Sequence, residues 1–118
     1  MGNRPVGSVS TDRHGDLPTV RVTGEIDVAT SPDLRQALLD PSLDPSATLV
    51  IDMLTVTFLD STGLGALVEG HNRFQGAGGT LKLVIANPHV LRVLQVTALD
   101  QTFSIFPSLA AARETTAA

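Results

Sequence analysis

The chain has 118 residues, a net charge of −4 and a hydrophobic fraction of 42%. This length suits one compact domain, the composition excludes wholesale disorder, and the apolar runs are too short to span a membrane. The 8 Lys and Arg residues are scattered, so the chain lacks the basic patch that nucleic-acid binding requires. We therefore expect one soluble domain over residues 1–118, with a core from about 7 to 113, short flexible termini and no membrane or nucleic-acid partner.

Cofactor and metal chemistry find little support in the residue types. The absence of cysteine excludes disulfides, thiolate nucleophiles and cysteine-bound zinc. His14, His71 and His89 lack the paired spacing of metal ligands, so we expect neither a metal nor a cofactor. The first residues contain no apolar signal core, which predicts a cytoplasmic location.

Alternating and helical apolar spacing, separated by Gly, Pro and Asn, divides the chain into short elements. In chain order these are strands at residues 7–11 and 17–23 joined by a turn at 14–16, a helix that starts at 31 and ends before 41, strand pieces at 48–52 and 56–59 with a bulge or turn at 54–55, a helix at 61–75, a strand at 80–85, a helix opened by residues 87–88, a strand at 102–106 and a helix at 108–113. Ser31 and Asn87 each precede a proline, a pattern typical of an N-cap and first helical position.

This order of elements predicts the fold class. Strands joined through helices run parallel, whereas the opening hairpin is antiparallel. We expect an α/β fold with a mixed, mostly parallel sheet of about five strands and about four helices.

The segment Asp60-Ser61-Thr62-Gly63-Leu64-Gly65 carries two hydroxyls at the junction between a strand and a helix. Free N–H groups and the helix dipole favour a phosphate there by about 0.3–1 kcal/mol. The alternative is that Asp60 or Ser61 is only a helix N-cap. Each glycine inside a helix costs about 0.5–1 kcal/mol relative to Ala, so we interpret Gly63 and Gly65 as positions where another protein approaches closely. The apolar face of this helix is predicted to consist of Leu64, Leu67, Val68, His71 and Phe74.

A second polar segment, Gly24-Glu25-Ile26-Asp27, ends the preceding strand. If that strand neighbours the one before Ser61, Glu25 or Asp27 approaches the hydroxyl; the alternative is a solvated turn. Asp27 and Asp60 would oppose the charge of about −1.5 to −2 on a phosphoserine. The site would then be mildly acidic when unmodified and strongly anionic when modified.

Two enzymatic interpretations are weaker. A serine nucleophile in the Gly-x-Ser-x-Gly elbow would need glycine where Leu59 stands, and His71 lies about 15 Å along the helix from Ser61. The Gly63-Leu64-Gly65 turn resembles a dinucleotide-binding loop only superficially, because Val68 occupies the third glycine position.

Four segments together resemble the STAS-domain anti-sigma factor antagonists, typified by bacterial sporulation and general-stress regulators. The resemblance covers about residues 18–109, and the segments are Gly24-Glu25-Ile26-Asp27, Val50-Ile51-Asp52, the run from Val56 to Gly65, and Gly78-Gly79. Two features depart from the family pattern: Met53-Leu54-Thr55 is more apolar than the usual turn, and the acidic, prolyl loop at 40–46 is particular to this chain.

The resemblance implies a non-enzymatic phosphorylation switch. A GHKL-type serine kinase that is also an anti-sigma factor would bind the domain and thereby release a sigma factor. That kinase would phosphorylate Ser61, with Thr62 as a secondary acceptor, and a PP2C-type phosphatase would reset the site. The partner-binding residues implied are Glu25, Asp27, Asp60, Ser61, Thr62, Gly63, Leu64 and Gly65. We expect a monomer, and the alternative is a constitutive scaffold or small-ligand STAS module.

Overall fold

The computed structural model describes residues 6–14 and 17–114. In chain order, this part of the chain forms β1 (Ser8–His14), β2 (Leu17–Ile26), α1 (Ser31–Leu38), β3 (Thr48–Leu59), α2 (Ser61–Gly76), β4 (Thr80–Val84), α3 (Pro88–Val96), a 3-10 turn (Leu99–Gln101), β5 (Ser104–Phe106) and α4 (Leu109–Glu114). The predicted order of strands and helices is confirmed. Of the turn predicted at 14–16, His14 belongs to β1 and residues 15 and 16 lie outside the described residues. Of the flexible ends predicted at about 1–6 and 114–118, Glu114 belongs to α4, and residues 1–5 and 115–118 lie outside the described residues.

The five strands form one sheet in the order β1-β2-β3-β4-β5. β1 and β2 pair antiparallel, and each later pair is parallel. The direction follows from the connections, since β1 leads directly into β2 whereas each later strand is reached through a helical segment. The predicted mixed sheet with an opening hairpin is confirmed.

The bounds of several elements differ from those predicted. β3 is one strand of 12 residues rather than two pieces. Its pairing with β2 shifts register twice, between Arg21 and Thr23 and between Gly24 and Glu25. The expected interruption near 54–55 is therefore a bulge inside a continuous strand, because the neighbouring β2 keeps supplying hydrogen-bond partners on both sides of it. β5 begins at Ser104 instead of 102, since a 3-10 turn precedes it.

The main core lies between one face of the sheet and helices α1, α2 and α3. Its sheet side consists of alternate residues, as the period of two in a strand requires: Val20, Val22, Leu49, Ile51, Met53, Leu81, Leu83 and Ile85. Leu67 and Phe74 of α2 are buried against them, and Leu64 and Val68 pack at the edge, so the predicted apolar face of this helix is confirmed. The helix α4 covers part of the opposite face, where Ala112 packs with Val50 and Val84.

Helices α1 and α2 lie side by side at close range. A Cβ atom added at Gly70 would be only 2.8 Å from Cδ1 of Leu38. Arg73 of α2 donates hydrogen bonds to the carbonyl oxygens of Leu38 (2.8 Å) and Leu43 (3.2 Å), which fastens the loop after α1 to α2. Within residues 6–14 and 17–114, no helix has both the length and the apolar character needed to cross a membrane.

Candidate functional site

The two polar segments singled out in the sequence meet at the carboxyl edge of the sheet. Ile26 and Leu59 are register partners at the ends of the parallel strands β2 and β3. The N–H of Asp60 donates a hydrogen bond of 3.1 Å to the carbonyl oxygen of Ile26. The prediction that segment 24–27 lies beside Ser61 is therefore confirmed for the backbone, since the two segments leave the sheet next to each other.

Asp60 is the N-cap of α2, and Ser61 is the first helical residue. The Oδ1 atom of Asp60 accepts hydrogen bonds from the N–H of Thr62 (2.9 Å), the hydroxyl of Thr62 (2.5 Å) and the N–H of Gly63 (3.1 Å). Of the two N-cap possibilities open in the sequence, the structure selects Asp60. Ser61 is thereby freed from the capping role.

Hydrogen bonding also determines the charge state of Asp60. Partial burial by itself would raise the pKa of the carboxyl group. The hydrogen bonds from the Thr62 hydroxyl and from the N–H groups of Gly63 and Thr62 outweigh burial, so the pKa of Asp60 lies below its ordinary value. Asp60 is a fixed negative charge beside Ser61 at neutral pH.

The two hydroxyls of the motif are in different situations. Both Ser61 and Thr62 are exposed. The Thr62 hydroxyl donates its proton to Asp60, whereas within the described part of the chain the Ser61 hydroxyl has no hydrogen-bond partner. Ser61 is the more available of the two as an acceptor of a chemical group.

Asp27 organises the turn between β2 and α1. Its Oδ1 accepts from the N–H groups of Ala29 (3.0 Å) and Thr30 (3.4 Å). Thr30, not Ser31, is the N-cap of α1, and it has no side-chain cap bond. The prediction of Ser31 as the cap is wrong because the carbonyl of Asp27 accepts from the N–H of Ser31 (2.8 Å), which draws Ser31 into the buried first turn.

The two glycines of the motif have different environments. A Cβ added at Gly63 would lie 2.5 Å from Leu59 Cδ1 and 2.7 Å from Ile26 Cγ2, so this glycine lets α2 sit against the strand ends. The interpretation of Gly63 as an open surface is therefore wrong, because the residue is buried. Gly65 is exposed, and an added Cβ would meet no atom within 4 Å. Only Gly65 offers the space expected for a close approach.

Two exposed apolar side chains flank the site and were not among the predicted residues. Val28, next to Asp27, is 71% exposed, and Phe58, the register partner of Glu25, is 47% exposed. An apolar residue near the end of a strand is usually assigned to the core, so its residue type does not predict that Phe58 is exposed. The signal available in the sequence was its place next to buried Leu59, because neighbours in a strand face opposite sides.

In the described part of the chain, neither His71 nor His89 forms a hydrogen bond with Ser61. The ring of His71 packs edge-on against Phe103, with centroids 5.5 Å apart, and is partly buried on the helix face to which the sequence assigns it. His89 is exposed in the first turn of α3. Within the described residues, no three His, Cys, Asp or Glu side chains are grouped so that they could hold a metal ion.

Comparison with known proteins identifies the family. The STAS domain profile matches residues 8–112. The anti-sigma-B factor antagonist of Bacillus subtilis is 36% identical over 86 residues, which cover 73% of this chain and 78% of that protein. The anti-sigma-F factor antagonist RsfB of Mycobacterium tuberculosis is 32% identical over 104 residues, covering 86% of this chain and 83% of the relative.

A solved structure agrees in fold and in sequence. The crystal structure of an anti-sigma factor antagonist from Mycobacterium paratuberculosis superimposes with a TM-score of 0.82 at 32% identity, covering 94% of each chain. The chain therefore belongs to the STAS domain family, as its motifs predicted.

Proposed function

We propose that this chain is an anti-sigma factor antagonist that binds a GHKL-type serine kinase acting as an anti-sigma factor, and so releases a sigma factor. Phosphorylation of Ser61 by that kinase ends the interaction, and a PP2C-type phosphatase restores it. The observation that carries the proposal is the exposed, unbonded hydroxyl of Ser61 beside the hydrogen-bonded hydroxyl of Thr62. The relatives named as anti-sigma factor antagonists give the proposal its class of partner.

The electrostatics of the site supply the mechanism of release. Asp60 is held as a carboxylate next to Ser61, and Asp27 lies in the adjoining turn. A phosphate on Ser61 adds a charge of about −1.5 to −2 to this acidic edge. The N-terminal dipole of α2 offsets part of the repulsion, so the fold tolerates the modification. A partner surface that fits the neutral hydroxyl must instead desolvate a dianion, and the complex dissociates.

In this scheme the chain contributes no catalytic group of its own. It supplies the acceptor oxygen, while the kinase supplies nucleotide, metal ion and base, as in other phosphoryl transfers. The exposed apolar side chains Val28 and Phe58 add contact area around the hydroxyl. We propose that the protein is a monomer in the cytoplasm, and that its partners act on it there.

The proposal is tested with substitutions at the two hydroxyls. Ser61→Asp should weaken binding of the serine-kinase anti-sigma factor from the same organism at least several-fold in calorimetry. Ser61→Ala should bind normally and take up no phosphate. Thr62→Val is the matched control, because it removes the hydroxyl that Asp60 already engages and should still gain about 80 Da, one phosphoryl group, on Ser61. Unchanged affinity of Ser61→Asp would refute the charge mechanism.

The alternative is a constitutive scaffold or small-ligand module, and one feature favours it. A groove of about 790 Å³ lies between α1 and α2, within the range of small-molecule sites. Intact-mass and peptide mass spectrometry of the protein from its own cells, before and after phosphatase treatment, separates the two functions. A chain that stays unmodified at Ser61 across growth and stress conditions, and carries a bound small molecule, would support the module instead.

A further inference from the structure

The outer surfaces of α1 and α2 form a groove that begins at the motif and runs away from it. Ser31 and Ala66 are buried where they line it, and the other lining residues are exposed. The lining residues are Ser31, Pro32, Arg35, Gln36, Leu39, Asp40 and Pro41 from α1 and the loop after it, and Thr62, Gly65, Ala66 and Glu69 from α2. Ion-paired side chains join the walls, with Arg35 Nε 2.5 Å from Glu69 Oε2. The groove is thus a built feature with defined sides.

The groove is continuous with the phosphorylation site. Thr62, which follows Ser61 directly, lines its upper end, and Gly65 follows one turn later on the same helix. A kinase must enclose the Ser61 hydroxyl to transfer a phosphoryl group to it, so its surface already covers Thr62. From Thr62 to Glu69 the groove continues for about 10 Å along α2, which is about two helical turns.

The lining favours a helix as occupant. Gly65 and Ala66 have little or no side chain, so the α2 side of the groove has room for an occupant. A Cβ added at Gly65 would meet no atom within 4 Å. Two neighbouring helices with a small-residue floor let a third helix pack in the furrow between them. Leu39, which is 37% exposed, provides an apolar contact at the far end.

The charges favour a basic occupant. Glu69 is paired with Arg35, and Asp40 is the remaining charged residue of the lining, with the guanidinium of Arg73 near enough to attract its carboxylate. Asp60, which accepts hydrogen bonds from Thr62, adds a carboxylate at the end of the groove near Ser61, and Asp27 lies in the turn that precedes α1. A helix with one apolar stripe and flanking Lys or Arg side chains complements this surface.

We propose that the groove between α1 and α2 is a second docking surface for the serine kinase that modifies Ser61, and that it receives an amphipathic, basic helix of that kinase. This inference rests on the proposed function. It adds a binding determinant at the far end of the groove, away from the reacting hydroxyl. Docking there raises affinity and selects the kinase, while the transfer chemistry stays at Ser61.

The test uses variants at the far end of the groove. Leu39→Lys replaces an exposed apolar side chain by a positive charge, and a lysine at the C-terminus of α1 suits the helix dipole. We expect at least ten-fold weaker binding of the kinase and a higher KM for phosphorylation of Ser61, with kcat unchanged. Val96→Lys is the matched control, since Val96 is 74% exposed at the end of α3 and does not line the groove; it should bind within two-fold of the wild type.

The charge of the groove is tested separately. Asp40→Asn removes the charge but keeps an oxygen that can accept from the N–H of Ser42, a bond of 2.9 Å in the native turn. Its affinity for the kinase should fall about three-fold at low salt, and the difference should fade at high salt.

The outcomes distinguish this inference from the function on which it rests. Normal binding by Leu39→Lys, together with weakened binding by Ser61→Asp, would contradict docking in the groove and leave the proposed phosphorylation switch at Ser61 intact. A small molecule that occupies the groove and is not displaced by the kinase would also overturn it. If Ser61→Asp binds normally and Ser61 is never phosphorylated, the proposed function itself fails.

Discussion

The carboxylate of Asp60 links the start of α2 to the properties of Ser61. It accepts three hydrogen bonds through one oxygen, two of them from backbone N–H groups that the helix leaves unpaired. We expect Asp60→Ala to lower the free energy of unfolding by about 1 kcal/mol, the usual cost of losing an N-cap. Asp60→Asn should lose less, because asparagine also caps well. Urea denaturation measures both, and equal stability of the alanine variant and the wild type would contradict the role.

For single residues, the sequence limits the candidates for the N-cap of α2 to two but does not decide between them. Asp60 and Ser61 are both good N-cap residues, so their types alone could not say which one caps. The choice depends on where β3 ends, because the N–H of Asp60 pairs with Ile26 of the neighbouring strand. Likewise, the Ser-Pro pair predicts Ser31 as the N-cap of α1, whereas Thr30 occupies that position because the carbonyl of Asp27 accepts from the N–H of Ser31. Hydrogen bonds to a distant strand or turn are not encoded in local propensity.

The packing of α2 on the sheet depends on which face each glycine occupies. Gly63 faces the buried side chains of Leu59 and Ile26, and Gly65, two residues later, faces outward. Gly63→Ala should lower the free energy of unfolding by about 1–3 kcal/mol through overpacking. Gly65→Ala should raise it by up to about 1 kcal/mol, since alanine is the better helix former. Urea denaturation of the two variants provides a matched comparison, and equal changes would show that helix propensity alone decides.

The sequence predicts helices and strands best where the residues that determine them are close together in the chain. The Ser-Pro and Asn-Pro pairs located the starts of α1 and α3 to within one residue, because proline restricts the first turn directly. The division of β3 into two pieces failed, since its bulge exists only in relation to the register of β2. The 3-10 turn at Leu99–Gln101 is not among the predicted elements. Ala98 before it adopts a left-handed conformation, which alanine rarely adopts, so the residue type does not predict it.

Across the whole molecule, parallel topology gathers the functional groups at one edge. β2, β3 and β4 run in the same direction, so the N-termini of α1, α2 and α3 all lie at their carboxyl ends. This placement follows from the order of elements and was predictable. The groove was not predictable, because its width depends on how closely Gly70 and Leu38 let the two helices approach. The sequence thus indicates the exposed hydroxyl of Ser61 more readily than the groove beside it.

Lys82 joins the sheet to α4 and is the only lysine in the chain. Its Nζ donates a hydrogen bond of 2.8 Å to the carbonyl oxygen of Ala112 and lies 5.0 Å from the centre of the Phe106 ring. Burial lowers the pKa of Lys82 from its ordinary value of 10.5. Between the lowered pKa and 10.5 the unfolded chain binds more protons than the folded one, so the free energy of unfolding should rise with pH.

This alkaline rise can be assigned to one residue. The chain has no Tyr or Cys, Arg stays charged, and an amino terminus titrates near pH 8, so Lys82 alone changes charge between about pH 9 and 10.5. Urea denaturation across this range should show increasing stability in the wild type. Lys82→Met, which has no ionisable group, and Lys82→Arg, which stays charged, should both lack the pH-dependent rise. A Met variant that keeps the rise would mean that another group titrates on folding, and that the buried ammonium is not the source.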